Sequence, residues 1–455
     1  MTDRRAIFAG GGAIVLVAVL HAAVFWPGIM TWDAIRQYGQ ALSGQYDDWH
    51  PPAMNWLWRQ LGVFGAGPAP MLALQVALYW SGTLLWVLAA WRRGRPRAAG
   101  AIALLALSPI VLVLVGTVLK DCLFAGALLL ASGLLAAWPE RRAGRIVAAL
   151  LLVAAATLRF NAVPACLPLL LLAAPAAWRS TLPRLGATVL LAAIPLVLAL
   201  PLANAALHAK RSGVELSLVI YDLGGIGKFS GTDAFPPTGV ADPVAVNAAC
   251  YSPISWDSYA WWGPAPCAIG FERLRAPLKT GHGPYGWWAS AVLHHPIAYA
   301  EHRLAHFDRN TRFLVRDADL PGLSLASDPN PWRYGVAPNT GRSAIAEAAN
   351  WVLATPLGWP ACWLALGVGL LVLRPRLDGD PAVAMAWSAM LYGFSYAPLS
   401  VASEVRYHFW TMTAVGIAAA LILGRRETWA LPRWRVLVAG FPLMLVITAG
   451  AIARL

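Results

Sequence analysis

The chain has 455 residues, of which 58% are hydrophobic and 13% charged, about half the charged share of an ordinary soluble domain. That balance excludes a water-soluble fold for most of the chain. The formal charge of +13 does not mark a nucleic-acid partner either, because the arginines fall in short clusters between apolar runs, as in Trp91-Arg92-Arg93-Gly94-Arg95-Pro96-Arg97, the positive-inside pattern of a membrane protein. The 23 tryptophans fit the same class, since indole rings settle at the headgroup level of a bilayer.

A spanning helix needs roughly 20 mainly apolar residues. Taken in chain order, that criterion selects residues 6–26, preceded by Met1 to Arg5 with no small-residue cleavage site behind them, so a retained first helix is expected. It then selects 71–91, 99–118 and 121–138. The run 146–178 is interrupted by Arg159-Phe160-Asn161 and by Pro164, which predicts two short helices turning at the interface. Residues 185–206, 351–373, 381–398, 407–423 and 435–455 complete the series, giving an all-α polytopic membrane protein of about 11 transmembrane helices.

Lysine and arginine in short loops resist translocation. Placing every arginine cluster on the cytoplasmic side of a cytoplasmic (inner) membrane, with the N-terminus inside, leaves 32–70, 119–120, 159–161, 208–350 and 399–406 outside. Three regions follow: an N-terminal transmembrane module, 1–206, carrying a first outer loop at 27–70; an extracytoplasmic domain, 207–350; and a C-terminal transmembrane module, 351–455.

The middle region is too long for a bare loop and predicts a mixed, mainly helical domain. It holds Cys250 and Cys267, which an oxidising compartment would join, whereas Cys122, Cys166 and Cys362 lie in apolar segments as small hydrophobes. Asp222-Leu223-Gly224-Gly225 reads as a turn, and residues 296–315 have helical spacing. There His295, Tyr299, His302 and His306 share a face. His302 and His306 have the spacing of two metal ligands, but Glu301 precedes them instead of lying between, and an amphipathic helix on the membrane rim is the favoured reading. Tyr221-Asp222, Trp256-Asp257 and Trp261-Trp262 suit sugar stacking or simple core packing equally.

The outer turns of the membrane modules carry the acids, histidines and amides, and ionisable groups held near lipid are functional candidates by default. Asp33 follows the first helix in Thr31-Trp32-Asp33, and Tyr46-Asp47-Asp48-Trp49-His50-Pro51-Pro52 comes soon after. A carboxylate at an interface deprotonates a hydroxyl or binds a divalent cation, and partial burial raises its pKa toward the base role; the plain alternative is a helix cap. Lys120-Asp121, Arg159 with Asn161, and Glu404-Val405-Arg406-Tyr407-His408 occupy later outer turns. Three turns thus offer cations to an anion such as phosphate, unless Lys120 pairs with Asp121 and Glu404 with Arg406.

On these residues the sequence resembles the C-type membrane glycosyltransferases, which include protein O-mannosyltransferases and lipid A aminoarabinose transferases and use polyprenyl-phosphate sugars. An acid in the first outer loop (Asp33), a basic-Pro-Pro element (His50-Pro51-Pro52) and cations in later outer turns carry the resemblance. It implies a glycosyltransferase acting on the outer face, with Asp33 as the catalytic or metal-linked carboxylate that activates an acceptor hydroxyl. It implies also that Lys120, Arg159 and Arg406 hold the donor phosphate, that His50 either holds it too or orients the loop, and that Glu404 and Tyr407 belong to the same substrate-binding set. Paired acids are common after the first helix in the family, whereas Ala34 follows Asp33 here, so a divalent metal is compatible with the sequence and not required by it. The implied partners are a polyprenyl-phosphate sugar, a glycan, lipid or protein acceptor, and membrane lipids. Competing readings are a polymerase or ligase of lipid-linked glycans, which needs no acid directly after the first helix; a transporter or flippase of cell-envelope precursors, which needs mid-membrane polar groups; and a non-catalytic scaffold.

Overall fold

A computed structural model of the protein describes residues 2–237, 239–267, 283–316, 319–376 and 379–455, with 2–9 described as helix backbone alone. Every regular element among the described residues is a helix, and three isolated bridges are the nearest approach to strand pairing. In chain order the first helices are α1 (Thr2–Phe25), α2 (Trp32–Ser43), α3 (Ala53–Leu61), α4 (Ala69–Arg92), α5 (Pro96–Ala106), α6 (Pro109–Gly116), α7 (Lys120–Ala137), α8 (Arg142–Ala156), α9 (Ala162–Ala173) and α10 (Leu182–Ala206). There follow α11 (Glu215–Ser230), α12 (Pro243–Cys250), α13 (Gly283–His294), α14 (Pro296–Thr311), α15 (Thr340–Leu353), α16 (Pro360–Leu373), α17 (Pro381–Leu399), α18 (Phe409–Leu423), α19 (Arg426–Trp429) and α20 (Arg433–Ile452).

Four of these, α4, α7, α10 and α20, are long and apolar enough to cross a membrane, and a fifth span arises if α5 and α6, bent by 54° at their junction, are counted as one. The figure of about 11 is therefore not reached by length and apolarity. The reason is local. Residues 99–118 break at Ser108-Pro109, where proline cannot continue the ladder of the preceding helix. Pro164 and Pro168 sit in α9, which ends after 12 residues. Helices α9 and α16 are apolar but short.

Packing divides the chain into two units: Met1–Lys210 with Gly322–Gly393 and Arg406–Thr448, and Arg211–Pro321 with Phe394–Val405 and Ala449–Leu455. In the first unit, α4 and α7 form the tightest pair because glycines replace side chains where the backbones meet. A Cβ on Gly82 would stand 2.6 Å from the backbone of Leu129 and Leu130, and one on Gly133 would stand 2.9 Å from Leu85. Small residues at such crossings let helices gain dispersion contacts where lipid supplies no hydrophobic drive. Trp86 Nε1 donates to Ser132 Oγ across the same contact at 3.1 Å.

The second unit is built on α11 and α14. The glycines read as a turn at 222–225 lie inside α11, fully buried. They are glycines for approach and not for turning: a Cβ on Gly224 would lie 2.5 Å from the Tyr259 hydroxyl, and one on Gly225 would collide with the His302 ring. Asp222 sits beneath them with Arg303 and His302 on its Oδ1 and Trp288 Nε1 donating to its Oδ2 at 2.7 Å. Cys250 and Cys267 are joined by a disulfide in this unit.

Candidate functional site

The chain leaves α1 and immediately makes two backbone contacts with the turn before α7. Ile29 N donates to Gly116 O (3.1 Å) and Val118 N donates to Ile29 O (2.9 Å), a parallel bridge at Ile29 and Thr117. Gln75, fully buried on α4, fixes that turn by donating to Val115 O at 2.6 Å and Thr117 O at 2.8 Å. Gly116 faces Phe25 so closely that any Cβ would overlap the ring. These contacts carry the start of α7 to the start of α2, and with it Lys120 to Asp33.

Helix α2 is capped by Thr31, whose side chain accepts from Ala34 N. Asp33 is therefore in the first turn, where a carboxylate complements the helix dipole, and the cap reading of Asp33 gives way to Thr31. A segment distant in sequence braces the entry: Ser327 Oγ accepts from Met30 N at 2.9 Å, Asp328 Oδ2 accepts from Trp32 N at 2.8 Å, and Asp328 N donates to Met30 O at 2.8 Å. Sequence reasoning missed Ser327 and Asp328. Their signal was Ser-Asp-Pro-Asn-Pro, turn chemistry with side chains suited to capping foreign backbone groups.

Asp33 stands at the centre of a cluster drawn from three stretches of the first unit. Its Oδ2 lies 3.3 Å from Lys120 Nζ and 2.9 Å from Arg406 Nη1, and its Oδ1 lies 3.5 Å from His50 Nε2. Lys120 Nζ is also 3.0 Å from His50 Nδ1, which assigns Nδ1 as the acceptor and the ring proton to Nε2. All four side chains are largely buried, Asp33 the least at 25% exposed. Burial on its own pushes the Asp33 carboxyl up, as the sequence led us to expect, but Lys120, Arg406 and His50 together outweigh it and hold Asp33 well below the ordinary carboxylate range. His50 is lowered to about 3, chiefly by burial and then by Lys120, so it is neutral at pH 7.

Lys120 does not pair with its neighbour. Asp121 is turned to Arg159, with which it forms a close ion pair. The Arg159 guanidinium lies over the Tyr407 ring at 5.2 Å, and Arg406 lies over the same ring at 5.4 Å, each a cation–π contact. Arg159 is thus joined to the Asp33 cluster through Tyr407 and is itself held by Asp121. Glu404 belongs to the second packing unit. Within the first unit Lys120, Arg159 and Arg406 gather with Asp33, Asp121 and the neutral imidazole of His50, and guanidinium and ammonium groups are the side chains that bind an anion such as phosphate. This donor set, one central carboxylate already on two cations, does not fit a divalent cation.

No family model matches the sequence, and no curated protein does. Two solved structures are similar to the chain. One is the archaeal oligosaccharyltransferase AglB from Archaeoglobus fulgidus in complex with an inhibitory peptide and a dolichol-phosphate, at 14% identity and a TM-score of 0.38 over 98% of this chain. The other is the Archaeoglobus fulgidus oligosaccharyltransferase tethered to an acceptor peptide containing the NVT sequon, at 12% identity and a TM-score of 0.34 over 98% of this chain. The chain spans 56% and 55% of their lengths.

The remaining candidates lie in the second unit. His302 and His306 are fully buried. His302 Nδ1 is 2.9 Å from the Tyr251 hydroxyl and its Nε2 is 3.1 Å from Asp222, while His306 Nδ1 is 3.1 Å from the Tyr221 hydroxyl and 2.8 Å from Pro253 O. Their spacing serves internal hydrogen bonding. The histidine face of α14 turns inward, and Ile297 and Leu304 are exposed on the other side. Tyr221 and Asp222 are wholly buried and Trp256 nearly so, whereas Trp261 and Trp262 are half-exposed and meet edge to face at 4.4 Å.

Proposed function

We propose that the chain is a membrane glycosyltransferase that moves a sugar from a polyprenyl-phosphate donor to an acceptor hydroxyl on the outer face of the cytoplasmic membrane. The observation that carries this reading is the placing of one carboxylate, Asp33, against two cations, Lys120 and Arg406, that come from sequence positions far apart. In the resting site those cations make Asp33 a weak base. An arriving phosphate diester competes for both, since guanidinium and ammonium groups bind phosphate oxygens at least as well as a carboxylate. As they shift to the phosphate, Asp33 loses the charges that depress it and its basicity rises.

Asp33 then takes the proton of the acceptor hydroxyl, the oxygen attacks the anomeric carbon, and the bond from that carbon to the phosphate oxygen breaks. The new charge on the leaving polyprenyl phosphate is met by Lys120 and Arg406. A single displacement inverts the anomeric centre. Neutral His50 orients Lys120 through Nδ1, and Tyr407 fixes the angle of Arg406. Asp33→Asn keeps the size and loses the base. Cells carrying it, with the protein inserted and accumulated normally, are expected to lose the glycan this chain makes from their surface; an unchanged glycan profile contradicts the assignment.

A further inference from the structure

Along the same helix as Asp33 lies a cleft of about 350 Å³. Arg36, Gln40 and Ser43 of α2 form one wall, Tyr46 and Asp47 the other, and Lys210 closes it; none of its lining residues is aliphatic. The cleft is built, not incidental. Lys210 N donates to Tyr46 O at 2.9 Å and Asp48 N donates to Lys210 O at 3.1 Å, so a residue far along the chain is clamped on the loop. Arg36 Nη2 is held on Asp47 Oδ2 at 2.6 Å, and Gln40 Oε1 accepts from Asn55 Nδ2 at 2.8 Å and Asp47 N at 3.3 Å. With its oxygen so engaged, the Gln40 amide is fixed with its NH2 left to donate.

The cleft and the cluster share helix α2. Arg36 is one turn beyond Asp33, hence on the same face of α2, and Gln40 is about 10 Å along the axis. The charge of Arg36 is felt at His50, which stands 3.5 Å from Asp33. We propose that this cleft is the acceptor subsite and that its occupant is a glycan whose terminal hydroxyl reaches Asp33. The inference rests on the glycosyltransferase reading and names the acceptor class. An acyl chain requires a continuous run of aliphatic side chains, and none lines the cleft. A peptide seated by its apolar side chains or by strand addition needs apolar pockets or an open strand edge, and neither lines it. A carboxylate–guanidinium pair, an oriented amide, a hydroxyl, an ammonium and one phenol ring are the groups that bind vicinal hydroxyls and the flat face of a sugar.

The test uses the full chain in lipid nanodiscs on an array of neutral and uronic-acid oligosaccharides, with sequon-bearing peptides on the same array. Oligosaccharide binding is expected, weakened about tenfold or more by Tyr46→Ala and by Lys210→Met, which leaves the backbone clamp intact. No saccharide binding, binding indifferent to both cleft variants, or peptide binding that those variants weaken would each overturn the proposal. Binding of a polyprenyl phosphate to the same samples reads the donor side separately, so loss of the acceptor inference and loss of the glycosyltransferase reading give different patterns.

Discussion

Asp33 and His50 are held in charge states that acidification opposes. His50 is neutral in the folded chain down to about pH 3 but takes a proton near 6.5 when unfolded, so protons favour the unfolded state throughout that window. Its contribution is complete above pH 6.5 and is lost progressively as pH falls toward 3; Asp33, depressed below 3.8, has its contribution complete above that value and loses it at still lower pH. His50→Gln, which cannot titrate, is expected to flatten the melting profile between pH 6.5 and 4 by on the order of 3 kcal/mol, read as thermal midpoint against pH. A wild-type profile already flat there would contradict the neutral buried imidazole. At this scale the sequence was legible where polar residues border apolar runs, which marked Asp33, His50, Lys120 and Arg406. It was not legible for pairing. Lys120 and Asp121 are neighbours, yet successive residues on a helix point about 100° apart, so one meets Asp33 and the other Arg159.

Helices were legible by apolarity and less so by length. The proline break at Ser108-Pro109 cuts one expected span into two shorter pieces, and a window average does not register where a ladder stops. Glycine was the least legible residue, because the same residue permits a turn or a close helix approach, and only the partner helix decides. At 222–225 the turn reading failed for that reason. The distinction is measurable on α4 and α5. Gly82→Ala places a methyl against the Leu129–Leu130 backbone and is expected to cost about 1–3 kcal/mol. Gly100→Ala meets nothing within 4 Å and is expected to be neutral or to stabilise by about 0.5–1 kcal/mol. Thermal unfolding in detergent compares the two, and equal effects would contradict the α4–α7 contact.

For the whole molecule, the arginine clusters predict which side of the membrane the site faces. Gln45 is exposed and lines the proposed acceptor cleft, and the free cysteines Cys122, Cys166 and Cys362 are buried. Gln45→Cys is therefore expected to react with an impermeant maleimide added outside intact cells, and labelling only after lysis would invert the topology. The central claim is that Asp33 shares its cations with a lipid phosphate. The most direct measurement is the affinity of a polyprenyl phosphate for the wild type, Lys120→Met, Arg406→Met and Asp33→Asn in nanodiscs. The account predicts binding weakened about tenfold or more by each cation variant, and strengthened by Asp33→Asn because both cations lose their competitor while transfer stops. Binding unaffected by Lys120→Met and Arg406→Met, or weakened by Asp33→Asn, would contradict it.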